Sequence, residues 1–92
     1  MSDSTLATVI VLAADQAAAQ ADFPDYFNAP ASPDGTAPAT HYLTNGYFDD
    51  NELDTICNDV LWPRKVYFGP LDVGLQKAGL MLVHPEPEPA PE

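Results

Sequence analysis

The chain has 92 residues, which is one small domain's worth of material with a thin core. Hydrophobic residues make up 46% of it, as in a packed fold, but 14 Asp plus Glu stand against 3 Lys plus Arg, a formal net charge of −11. That balance excludes a binder of nucleic acid, which needs clustered cations, and disfavours anionic membrane; it leaves solubility, a basic protein partner, or imitation of a nucleic acid.

Residues 5–14 (TLATVIVLAA) form an apolar run with branched side chains at Thr8, Val9, Ile10 and Val11. Length and branching suit a central strand buried on both faces. No Lys or Arg precedes the run and Asp3 does, so it does not read as a secretion signal, and the expected location is the cytoplasm of the producing cell. Asp15 is placed as an N-cap for a helix over 15–23 (DQAAAQADF), which Pro24 stops. A short strand is expected at 26–29. Residues 30–39 (PASPDGTAPA) read as a loop, with a turn at Ser32-Pro33-Asp34-Gly35.

Residues 40–48 (THYLTNGYF) alternate and carry aromatic and branched residues, so a strand is expected, with Asn45-Gly46 as a hairpin or bulge signal. Next, 49–61 (DDNELDTICNDVL) places Leu53, Ile56, Cys57, Val60 and Leu61 along one helical face. Asp49 and Glu52 have the spacing of a capping box, and Phe48 with Leu53 that of a hydrophobic staple. A strand at 64–69 follows. A short helix then opens with Pro70 at its first position, carries Leu71, Leu75 and Ala78 as a stripe, and stops at Gly79. A last strand is expected at 80–83. The expected fold is α+β: a single domain over 1–84 with a ferredoxin-like βαββαβ sheet, two helices on one face and a short third helix. Residues 85–92 read as an extended Pro/Glu tail.

No constellation carries chemistry. From Asp49, position six of a calcium loop falls on Asp54 and position twelve on Val60, so that pattern fails. His41, His84 and the single cysteine, Cys57, lack the paired spacings of a zinc site. Cys57 is expected in the core, where burial makes a thiol unreactive. Nucleophile elbows and phosphate-binding glycine motifs are absent from the sequence. The expectation is a protein with no catalytic, cofactor or metal site that works by binding another protein. Candidate contacts are Asp50, Asp54 and Asn58 on the polar side of the second helix, and Tyr42 and Tyr47 on the middle strand. Exposed sheet edges also make a homo-oligomer an expected state.

In size, acidity, Ala-rich start and single cysteine, the chain resembles the small accessory proteins of tailed bacteriophages and prophages. The stretch 39–53 (ATHYLTNGYFDDNEL) carries the likeness most directly. The resemblance implies a minor virion or assembly component, or an acidic inhibitor that mimics nucleic acid and blocks a basic surface of a host-defence protein.

Overall fold

A computed structural model describes residues 4–83. The Pro/Glu segment read from the sequence at 85–92 lies outside them. The strands are β1 (Ser4–Leu12), β2 (Ala29–Ser32), β3 (His41–Asp49), β4 (Lys65–Phe68) and β5 (Met81–Leu82). The helices are α1 (Gln16–Asp22), α2 (Asp50–Asp54, continued by a π turn over Thr55–Asp59) and α3 (Leu71–Ala78). Together they make a small α+β domain with one antiparallel sheet in the order β4-β1-β3-β2-β5.

β1 is central, as its apolar run predicts. Its whole length pairs with β3, from Ser4 opposite Asp49 to Leu12 opposite His41. On its other side only Ala7 to Ile10 meet β4. Alternation sends Ala7, Val9 and Val11 to one face, where they pack with Ala19 of α1, Phe27, Phe48, Ile56 and Trp62. Ile10 points to the other face and joins Ala31, Leu43 and Leu80 beneath Leu71, Leu75 and Ala78 of α3. The third helix therefore covers the opposite face of the sheet and gives this small domain a second core.

Several elements depart from their sequence reading. The chain opens α1 through a 3-10 turn at Ala13–Asp15, and Asp15 makes no side-chain cap. β2 occupies 29–32, overlapping the strand expected at 26–29 only at Ala29 and otherwise lying inside the segment read as a loop. Pro30 is tolerated there because it faces β5, accepting from the Val83 N–H at 2.9 Å, and needs to donate nothing. The Ser32–Gly35 turn forms as expected, with the Gly35 N–H on the Ser32 carbonyl at 3.3 Å and Gly35 at φ 76°. Asn45-Gly46 makes no hairpin, since β3 runs through it unbroken. Pro70 is the N-cap of α3 and not its first helical residue, while Gly79 ends that helix in the left-handed region as expected.

The second helix differs most. Its start follows the sequence: Asp49 Oδ1 accepts from the Glu52 N–H at 2.8 Å, and Glu52 Oε1 accepts from the Asp49 N–H at 3.1 Å. From Thr55 the turn widens, which rotates later side chains away from the α-helical stripe, and at Val60 the backbone becomes extended. Ile56 stays buried, a gain of about 1.5–3 kcal/mol, with Leu53 and Val60 partly covered beside it. Cys57 is exposed and not in the core, and Leu61 is 99% exposed. Arg64 Nη2 donates to the Cys57 carbonyl, closing one end of the widened turn.

Candidate functional site

The residues singled out from the sequence do not form one surface. Asp50, Asp54 and Asn58 are exposed along α2 and its π turn, and Asn58 Nδ2 donates to Asp54 Oδ1 at 2.9 Å. Tyr42 and Tyr47 are separated by the pleat. Tyr42, opposite Val11, is partly buried against the core under α1 and α2. Tyr47, opposite Leu6, lies on the α3 face and is 69% exposed. A sheet face carrying both tyrosines is therefore not available.

Beside the start of α2 lies an aromatic and acidic corner. Phe23 stacks on Tyr26 at 5.8 Å, and Trp62 meets Phe23 and Phe27 edge-on at 6.3 and 5.4 Å. Trp62 Nε1 donates to Asp22 Oδ2 at 2.8 Å, which satisfies the buried indole. Tyr26 Oη donates to Glu52 Oε2 at 2.8 Å, so Glu52 serves both the capping box and this tyrosine. That hydrogen bond, then burial and the charges of Glu52, Asp49 and Asp25, push the Tyr26 hydroxyl up to about 12.

A different feature is set by the edge of β3. β2 pairs with β3 only from Ala31 opposite His41 to Ala29 opposite Leu43. Upstream of Ala29 the chain turns away at Phe27, a fully buried residue held at φ 64°. Gln16 Nε2 bonds the Phe27 carbonyl at 2.9 Å, and Gln20 Nε2 the Tyr26 carbonyl at 3.0 Å, fixing that turn. Among the described residues, β3 from Thr44 onward therefore has no strand on the side that β2 occupies earlier.

The direction of the free groups follows from the ladders. The Gly69 N–H bonds the Leu6 carbonyl, so even-numbered residues of β1 face β4 and odd-numbered ones face β3. Their partners Thr44, Gly46 and Phe48 use their backbone groups toward β1. Asn45 and Tyr47 turn theirs outward. A groove of about 440 Å³ lies along this edge, lined by Asp25, Asn28, Ala29, Leu43, Thr44, Asn45 and Leu71. Asp25 and Asn28 come from the α1–β2 connection and Leu71 from α3, so the groove exists only because both face layers reach the same edge. The Asn45 side chain crosses under the sheet, donating to Thr8 Oγ1 at 2.7 Å, which anchors this part of β3.

Of the candidates, only Tyr47 belongs to this edge. Asp25, Asn28, Asn45 and Leu71 were not expected at a site; Asn45 was read as a turn signal and Leu71 as part of the α3 stripe, and no local pattern marks Asp25 or Asn28. A smaller hollow of about 230 Å³ on the β4 side gathers His41, Arg64 and Lys65 around Ile10, Leu12 and Pro63. Among the described residues, no three His, Cys, Asp or Glu side chains converge as a metal site, and no helix is long and apolar enough to cross a membrane. Comparison with protein-family models, with curated proteins and with solved structures found no match.

Proposed function

We propose that this chain is a non-enzymatic accessory protein of the phage type, a minor structural or assembly component that works by binding another protein. The observation that carries the reading is the open edge of β3, with outward backbone groups at Asn45 and Tyr47 beside an exposed tyrosine ring. An edge of this kind is a template for pairing with another chain, and Tyr supplies large contact area at low entropy cost. The strand order β4-β1-β3-β2 supports a ferredoxin-like framework, extended at the β2 edge by β5. The alternative, an acidic mimic of nucleic acid, calls for acids in rows along one face. The exposed acids lie instead on α1 and the connection after it (Asp22, Asp25), on a turn (Asp34), on α2 and its π turn (Asp50, Asp54, Asp59) and on α3 (Asp72); their spread over several elements on both sides of the sheet supports docking over mimicry.

The test is carboxyl-reactive cross-linking of the full chain in the cells that make it, with mass spectrometry of the products. The expected result is a saturable set of cross-links to one protein, reduced when Tyr47 is replaced by Lys. The same products from wild-type and heat-unfolded chain would remove the reading.

A further inference from the structure

The open edge of β3 differs from the other edges of this sheet in being long and unguarded. β4 is four residues long, opens with Lys65 after Pro63-Arg64, and so carries the usual guards of an edge strand. β5 has only two residues. Between Thr44 and Phe48 there is no Lys, no Pro and no bulge. The groove beside it has an apolar floor from Ala29, Leu43 and Leu71 and an acidic wall at Asp25.

We propose that this edge takes up an extended, Lys- or Arg-bearing segment of a partner protein as an added strand. The inference rests on the protein-binding reading above and names the partner's chemistry. Backbone groups at Asn45 and Tyr47, two residues apart, match the repeat with which a neighbouring strand exchanges hydrogen bonds. Alternate side chains of the incoming segment fall on the two faces of the sheet. One set meets Leu43 and Leu71 in the groove and the exposed Tyr47 ring. Cationic side chains meet Asp25 on the groove wall. The charges select against a second copy, because pairing two β3 edges brings together two chains that each carry −11. They also select against an acidic segment. This chain's own cations Arg64 and Lys65 lie at the β4 side, across β1 from the groove.

The test uses the full chain and a capped peptide of alternating Val and Lys, about ten residues long, enough to cover a strand of usual length. Two controls replace Lys by Glu, or methylate alternate backbone nitrogens. NMR follows amide shifts and hydrogen exchange. In the free protein, Asn45 and Tyr47 amides are expected to exchange fast, while Thr44, Gly46 and Phe48 are protected by β1. On adding the Val/Lys peptide, shifts should saturate around Thr44–Phe48 and Asn28. Exchange at Asn45 and Tyr47 should slow by about tenfold or more. The Glu peptide should not bind, and the methylated peptide should bind at least about tenfold more weakly.

Tyr47→Pro should abolish binding with the spectrum still dispersed, and Tyr47→Lys, which adds a guarding charge, should weaken it likewise. Any of four results overturns the proposal. They are no saturable binding of the Val/Lys peptide at about 1 mM, the scale of the weakest specific affinities; shifts confined to α2 without protection at Asn45 and Tyr47; protection that grows with protein concentration alone, which assigns the edge to a second copy; and unchanged binding by Tyr47→Pro. These results leave the broader reading standing, since cross-linking in cells decides that separately.

Discussion

Gly74 of α3 lies directly on Thr8 of β1: a Cβ at position 74 would sit 2.8 Å from both Cβ and Oγ1 of the threonine. Thr8 is fully buried, and its hydroxyl already accepts from Asn45. The missing side chain lets α3 settle on the central strand and close the second core. Gly74→Ala would gain about 0.5–1 kcal/mol from helix propensity. It would lose about 1–3 kcal/mol by overpacking against atoms near the backbone of β1. The clash should win, lowering the melting temperature by about 4–8 °C for each net kcal/mol lost. A melting temperature equal to or above wild type would show that α3 sits higher than the contact implies.

The second helix offers a sharper comparison. Ile56→Asp places a carboxylate at a fully buried site and should cost about 3–5 kcal/mol. Cys57→Ser and Leu61→Ser, on the same stripe by sequence spacing, should change stability by less than about 0.5 kcal/mol, because both residues are exposed. Urea unfolding of the three variants checks this. Comparable losses at positions 56 and 57 would return Cys57 to the core and remove the π turn.

Tyr26 links stability to alkaline pH. An unfolded tyrosine loses its proton near 10.0, and the folded Tyr26 near 12. The tyrosine's contribution is therefore complete below about pH 10 and is lost as pH rises from about 10 to 12, because unfolding releases a proton in that window. Tyr26→Phe should flatten this part of the stability profile, and Glu52→Gln should move the Tyr26 titration downward. Tyrosinate absorbance, with denaturant melts across the window, gives both readouts. A profile unchanged by Tyr26→Phe would mean that the hydrogen bond to Glu52 does not persist in solution.

Proline substitution tests which way the β3 amides point. Tyr47→Pro removes an outward N–H and should cost no more than about 1 kcal/mol beyond the lost ring contacts. Gly46→Pro, one residue earlier, removes an N–H that bonds β1 and should cost about 3 kcal/mol or more. Equal losses would contradict the assigned parity and close the edge to an added strand.

Local signals in the sequence were readable where neighbouring residues carry them. The Asp49–Glu52 capping box spans four residues and forms as spaced. Gly79 ends α3 because only glycine accepts φ 73° without strain. The run from Ala7 to Val11 is apolar or branched on both alternations, and all five residues are buried. Signals failed where a distant contact outweighed the local one. Pro30 reads as a loop residue, yet its missing N–H faces the short β5 and removes nothing from the ladder with β3. Cys57 and Leu61 follow the α-helical spacing of Ile56, but the π turn and the extended Val60 carry them into solvent. Tyr42 and Tyr47 are five residues apart, and the period of two puts them on opposite faces.

The sequence by itself determined the acidity, the α+β class, the central strand, the capping box that opens α2 and the glycine stop of α3. Each of these depends on composition or on residues within one turn of one another. Tertiary structure decided that α3 covers the second face, that β2 begins only at Ala29, and that Asp25, Asn28, Asn45 and Leu71 line one groove. Those outcomes depend on strand register and on packing between segments far apart in the chain. A sheet edge is left open by the length of its neighbour, here set by the turn at Phe27, and no property of the edge residues themselves announces it.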